Sequence, residues 1–134
     1  MKQNDILRVA SLLSILLLML HVTYDIVRGI SKAEPSNLIA VPFLAVLLYG
    51  TLVLAERRSG HIVMLLIGVL SVGMPWLHMR GARYGEIAAT SGGFFFVWTL
   101  LALGGLGLFC VMLALRGLWS MRRGQPSRSK DSIS

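Results

Sequence analysis

The residues best suited to chemistry are a histidine and an aspartate inside the first long apolar run. His21 and Asp25 lie four residues apart, and Met74 and His78 repeat that spacing in a later run. Residues four apart share one face of an α-helix. Ionisable side chains are costly inside a bilayer and often serve a function there. The sequence therefore predicts a polar intramembrane cluster of His21, Asp25 and His78, with Met74 as a further candidate ligand.

The depths of these four residues favour their convergence. An arginine follows each of the two runs, and we take it as the outer end of a membrane span. With a rise of 1.5 Å per residue, Asp25 then lies about 4.5 Å and His78 about 3 Å below that boundary. By the same measure, His21 lies about 10 Å and Met74 about 9 Å below it. If the first and third helices face each other, the four side chains meet near the outer leaflet.

Three interpretations of the cluster are open. In the first it is structural: Asp25 pairs with Arg28, Arg80 or His78, and His21 bonds a carbonyl or a hydroxyl group. In the second it is a metal site, because two histidines, an aspartate and a methionine can hold a transition metal, and methionine favours copper(I). No tight ligand spacing supports that site, so the sequence predicts no definite metal ligand and no cofactor. In the third, the His21–Asp25 pair carries protons or binds a ligand.

Four long hydrophobic runs must position these residues. Of the 134 residues, 55% are hydrophobic and 14% are charged, whereas a soluble domain carries about 25% charged residues. Since about 20 apolar residues cross a bilayer core, the runs predict an all-α fold, a transmembrane bundle of four antiparallel helices with short loops in a single domain over 1–120. The expected spans cover residues 7–28, 36–55, 60–79 and 94–116. The first run has no small-residue cleavage pattern after it, so we expect an uncleaved span rather than a signal peptide.

Charge sets the expected orientation. A net charge of +7 would suggest nucleic acid on a soluble domain, but beside these runs it favours a membrane protein and no nucleic-acid partner. Nine Lys and Arg residues lie on the side of the termini and four on the other side, which predicts cytoplasmic termini. Residues 121–134 are expected to form a disordered basic tail. The aromatic residues of 94–98 and Trp76 are expected at the outer interface, and Trp119 at the inner one.

The remaining polar residues suggest no catalysis. Cys110 is read as a small buried hydrophobe. His61 is expected to lie at the head-group interface, far from the cluster. No serine or cysteine nucleophile has a histidine at helical spacing, so the sequence predicts that the protein is not an enzyme. The glycines of 104–107 lie inside a span, and they are expected to let the last helix pack closely against a neighbour.

Three functions follow from this architecture. The leading expectation is a non-enzymatic accessory or interaction subunit of the inner (plasma) membrane, with the lipid bilayer, a second copy or a larger membrane protein as partner. The second is a small oligomeric transporter, because the four-span architecture resembles that of the small multidrug-resistance transporters. Those transporters carry a glutamate in the middle of the first helix, whereas His21 and Asp25 lie nearer its outer end. The third is a metal-binding membrane protein.

Overall fold

A computed structural model describes residues 3–29, 40–81 and 84–123 of the chain. Within these ranges 88% of the residues are helical and none is in a strand, so the all-α prediction is confirmed for them. The elements in chain order are α1 (Gln3–Val27), α2 (Ala40–Leu52), α3 (Arg58–Met79), the short α4 (Tyr84–Ala88) and α5 (Gly93–Arg123).

Three of these helices are long and apolar enough to cross a membrane. α1, α3 and α5 contain 25, 22 and 31 residues, which correspond to about 37, 33 and 46 Å of helix. The hydrocarbon core of a bilayer is about 30 Å thick. Large apolar side chains cover their outer faces, with Phe94 81% and Val27 76% exposed. An outer surface of this kind is typical of helices that face lipid.

The second predicted span is shorter than expected within the described residues. We expected a helix over 36–55, but α2 has 13 residues and a length of about 20 Å. Residues 36–39 lie outside the described part of the chain. At its other end, α2 stops at Leu52 because the next five residues turn the chain back into α3. The amide of Arg57 donates to the carbonyl of Leu54 within this turn.

The most extensive helix interface is that between α3 and α5, and α1 packs on α5 beside it. Gly68 and Gly107 make the α3–α5 crossing close. A Cβ atom added to Gly107 would lie 2.7 Å from the carbonyl oxygen of Gly68 and 2.8 Å from the Cβ of Ser71. Small residues allow this approach of two backbones. The predicted glycine contact of the last helix is therefore made inside the chain.

The core is partly polar. Its main apolar cluster consists of Leu7, Ala10, Ala55, Met64, Cys110 and Ala114. On α1, the buried face continues through Ser11, Ser14, His21 and Asp25. Arg28, just after the end of this helix, is exposed. Its guanidinium lies 5.9 Å from the ring centroid of Tyr24.

The last helix continues into the predicted tail. We expected disorder from Met121, yet α5 ends at Arg123. The Arg123 guanidinium lies 4.6 Å from the ring centroid of Trp119, one helical turn earlier, and such cation–π contacts stabilise exposed helix ends. The rest of the predicted tail, 124–134, lies outside the described residues.

Candidate functional site

The candidate site lies where α1 and α3 end and α5 begins. His21 and Asp25 come from the last two turns of α1, and His78 comes from the last turn of α3. One ligand atom from each of these three residues lies within 4.8 Å of the other two. The structure thus brings together the three residues of the predicted cluster. We call this group the His–Asp cluster.

The Asp25 carboxylate lies between the two imidazoles. Its Oδ2 atom is 3.5 Å from Nε2 of His78 and 3.8 Å from Nε2 of His21. Asp25 is 5% exposed, and its buried Oδ1 atom has no hydrogen-bond partner among the described residues. Since a buried carboxylate needs compensating partners, the histidines are the groups that must supply them.

Arginine does not compensate Asp25 in the described structure. The two arginines considered as partners, Arg28 and Arg80, instead lie over the rings of Tyr24 and Trp76, the latter pair at 4.0 Å. Both arginines are exposed at helix ends. Among the described residues, the histidines are therefore the groups within reach of the negative charge of the cluster, and a proton or a bound cation would compensate it further.

A hydrogen-bond network at the outer nitrogens fixes the His21 ring. Nδ1 of His21 lies 3.0 Å from the hydroxyl of Thr99 on α5. That hydroxyl also donates towards the carbonyls of Phe95 and Phe96, each at 3.0 Å, as threonine commonly does in helices. With its proton on a carbonyl, the hydroxyl accepts from Nδ1–H. This assignment leaves Nε2 of neutral His21 as a bare lone pair that faces Asp25.

The outer nitrogen of His78 also has a hydrogen-bond partner, in this case a backbone carbonyl. Its Nδ1 lies 3.0 Å from the backbone carbonyl of Met74, which can only accept, so Nδ1–H is the donor. Nε2 of neutral His78 is then also a bare lone pair. Met74 thus serves the cluster through its carbonyl, one turn before His78. When both histidines are neutral, two imidazole lone pairs and one carboxylate converge, and a proton on either Nε2 atom or a bound cation would relieve their repulsion.

Phe96 forms an apolar wall beside the cluster. Its ring centroid lies 5.2 Å from that of His21 and 5.9 Å from that of His78. Tyr84 of α4 lies behind it, at 6.4 Å. Phe96 is 1% exposed, so the expectation that it anchors the outer interface is wrong for this residue. Burial by Phe96 keeps water from the inner side of the cluster, while the His78 side chain remains 22% exposed.

His61 also departs from its predicted role. It was expected at the head-group interface, but it is fully buried near the start of α3. Its Nδ1 lies 3.2 Å from the carbonyl of Arg57, and its Nε2 has no hydrogen-bond partner in the described part of the chain. The ring fills the space that Gly117 leaves on α5, where an added Cβ would collide with it. His61 is buried because this glycine leaves space for its ring in the facing helix.

Cys110 is the remaining candidate that the sequence singled out inside a span. It is fully buried, as predicted, and its sulfur lies 3.8 Å from the hydroxyls of Ser11 and Ser14. The serine contacts were not predicted. Among the described residues, the hydrogen-bond partners of this thiol are thus two serine hydroxyls.

No protein-family profile, curated protein or solved structure matches this chain. What the site can bind is therefore inferred from the geometry of the described residues.

Proposed function

We propose that this protein is a small multi-pass membrane protein that binds a divalent transition-metal ion in its His–Asp cluster. The observation that carries the proposal is the convergence of three donor atoms, two of which belong to histidines whose outer nitrogens already have hydrogen-bond partners. In metal sites, a histidine ligand characteristically donates its other ring N–H to a carbonyl, carboxylate or water. Thr99 and the Met74 carbonyl provide such partners here.

The spacing of the donors supports this proposal. Zinc–nitrogen and zinc–oxygen bonds of about 2.0–2.2 Å place two ligands of a tetrahedral ion about 3.3 Å apart. The distances from Asp25 Oδ2 to the two Nε2 atoms are 3.8 and 3.5 Å. These two distances need to shorten by well under 1 Å to hold an ion, whereas the two histidine ligand atoms, which lie within 4.8 Å of each other, need to approach by up to about 1.5 Å. Three protein ligands also leave a fourth position open, which water or a fourth ligand can occupy.

The donor set favours a zinc-like ion over copper(I). Two imidazoles and one carboxylate suit divalent ions of borderline softness, whereas copper(I) is selected by thiolate and thioether ligands. Bound there, the ion would tie α1 to α3 and neutralise the buried carboxylate. Its expected role is that of a clamp within a non-enzymatic accessory or interaction subunit.

In this proposal the protein crosses an inner (plasma) membrane four times, with both termini in the cytoplasm. The excess of Lys and Arg on the side of the termini supports this orientation. Four spans require that α2 extends through residues that precede Ala40. Single cysteines at Ser59 and Thr90 test the orientation. A membrane-impermeant maleimide added to intact cells should label Thr90→Cys and spare Ser59→Cys, and the reverse pattern would invert the orientation.

The metal content of the purified protein tests the proposed function. The protein is purified in detergent with a tag free of histidine, and bound metals are counted by elemental analysis after dialysis against micromolar zinc. We expect about one ion per chain, and its loss in His78→Gln. The control is His61→Gln, which removes another imidazole from the same helix but one without a carboxylate neighbour, and it should keep the ion.

Cobalt gives a second readout of the same site. Cobalt(II) in a four-coordinate site shows visible absorption that depends on its ligands, and the wild type should show it while His78→Gln should not. If the wild type binds no metal, or if His61→Gln loses it equally, the proposal is wrong. In the absence of metal, pH-dependent substrate uptake into vesicles that Asp25→Asn abolishes would favour the transporter.

A further inference from the structure

A groove lies at the opposite end of the bundle, between the start of α3 and the end of α5. Its volume is about 660 Å³, which falls within the range of about 300–1,000 Å³ for ligand clefts. Its lining residues are Arg58, Ile62, Leu115, Leu118, Trp119 and Arg122. Arg58 precedes His78 by 20 residues of α3, about 30 Å of helix, so the groove is independent of the His–Asp cluster.

The groove combines an apolar wall with two cations. Its aliphatic surface comes from Ile62 on α3 and from Leu115 and Leu118 on α5, whereas Arg58 and Arg122 supply one guanidinium from each helix. None of the described residues that line it is acidic. Within the described part of the chain, neither arginine forms an ion pair. A ligand with one anionic end and one alkyl end would match both features.

The start of α3 adds to the positive potential. Arg57 occupies the N-cap position in an extended conformation and makes no side-chain cap hydrogen bond. The first amides of α3 therefore lack a capping side chain, and they carry the positive end of the helix dipole. Such helix starts favour anions, phosphate in particular. Here the dipole reinforces the charge of Arg58 on the same side of the groove.

Trp119 indicates where the groove lies relative to the lipid head groups. Its side chain is 62% exposed and its ring is covered on one face by the Arg123 guanidinium. Exposed tryptophan next to arginine is typical of helices at head-group level. The cationic rim therefore lies where lipid phosphates lie, and the apolar wall lies where acyl chains begin.

We propose that this groove binds an anionic phospholipid. The lipid phosphate lies between Arg58 and Arg122, because guanidinium groups bind phosphate through paired hydrogen bonds. One acyl chain packs along Ile62, Leu115 and Leu118. A free phosphate ion would satisfy the arginines alone and leave this wall uncovered, so the structure assigns the site to a lipid.

Lipid binding to the full-length protein in detergent tests this proposal. Native mass spectrometry counts bound dioleoyl phosphatidylglycerol and bound dioleoyl phosphatidylcholine, which share their acyl chains and differ in charge. We expect wild type to prefer the anionic lipid. The double variant Arg58→Gln/Arg122→Gln should bind that lipid about 30-fold more weakly, because each arginine near an anionic lipid contributes about a factor of five.

A matched control separates the groove from general electrostatics. Arg80→Gln/Arg116→Gln removes two positive charges from exposed positions at the C-cap of α3 and on α5 that do not line the groove. This pair should change the affinity less than threefold. If it weakens binding as much as the groove pair does, or if wild type shows no preference for the anionic lipid, the proposal is wrong.

A variant that keeps every charge tests the acyl-chain wall. Ile62→Trp fills the groove at a half-exposed position, and it should weaken phosphatidylglycerol binding about tenfold while the protein melts as wild type does. Millimolar inorganic phosphate should not displace the lipid. Unchanged lipid binding in Ile62→Trp, or full displacement by phosphate, would reduce the site to a simple anion site and overturn the lipid assignment.

Discussion

His21 and His61 are both fully buried, and each has an Nδ1 atom close to an oxygen on a helix and an Nε2 atom without a hydrogen-bond partner. They differ in what faces that Nε2 atom. For His21 it is the Asp25 carboxylate at 3.8 Å, with the ring of His78 5.0 Å away. For His61 it is the slot left by Gly117. The two regions share burial and tautomer, and only the first has converging donors.

This difference shows what makes a buried histidine a candidate ligand. Burial of an unpartnered imidazole nitrogen costs free energy wherever it occurs, so burial alone does not distinguish a site from packing. A carboxylate and a second imidazole within reach of the same point do, because they can share one cation. Substitutions in the two regions are therefore expected to differ in their effect on stabilisation by zinc.

The largest effect is expected from Asp25→Asn in the presence of zinc. An ion that binds only the folded state stabilises it by about 2.7 kcal/mol at a concentration 100 times its Kd, and the variant should lose this gain. Without zinc, the variant should equal wild type or exceed it by up to about 1 kcal/mol. The reason is that Asp25 Oδ1 is unpartnered, whereas an asparagine amide can donate to a histidine Nε2. Free energies of unfolding in detergent, with and without zinc, provide the measurement.

The second region supplies the control for this experiment. His61→Gln should lose some packing energy but keep the full stabilisation by zinc. A loss of several kcal/mol by Asp25→Asn without zinc would instead show that Asp25 serves mainly as structural glue between α1 and α3, as in the first interpretation of the sequence.

A smaller effect is expected from the support of the His21 ring. Thr99→Val keeps the shape of the side chain but removes the hydroxyl that accepts from Nδ1–H, and the loss of such a partner costs about 10–100-fold in metal affinity. Thr51→Val is the matched control, since Thr51 is also fully buried and its hydroxyl donates to the carbonyl of Leu47. Zinc titrations that compare the two variants measure the difference. Equal losses would mean that Thr99 acts through helix packing and not through His21.

The sequence was sufficient to pair residues along one helix and to match depths across two. His21 and Asp25 were placed together by their spacing, and His78 was placed opposite them by its distance from the helix end. These inferences succeed because helix rise and period are fixed by the backbone. For His21 the sequence predicted a carbonyl or hydroxyl partner but not its identity, because Thr99 stands in an apolar run without any spacing that marks it.

The sequence did not predict which residues are buried where α5 packs against α1 and α3. Phe96 and His61 were both expected at the interfaces, and both are buried. Which face α5 covers depends on how it is rotated against α1 and α3, and a span that is apolar on all sides carries little information on its rotation. The one signal that could have indicated the burial of His61 was Gly117, a small residue at the matching depth of α5. The end of α2 at Leu52 was likewise hidden, because the uncharged run continues past it to Ala55.

The smallest effect is expected at Gly117, where a substitution tests the packing of His61 alone. In Gly117→Ala the new Cβ would collide with the imidazole ring, and overpacking of this kind costs about 1–3 kcal/mol. Alanine recovers up to about 1 kcal/mol through helix propensity, so we expect a net loss of about 1–2 kcal/mol in the free energy of unfolding. Gly105→Ala, on the same helix, meets nothing within 4 Å and should gain stability by the propensity difference alone. Opposite signs for the two substitutions, with zinc affinity unchanged in both, would assign His61 to packing. A drop in zinc affinity in Gly117→Ala would mean that the two regions are coupled through α3, and the distinction between them would fail.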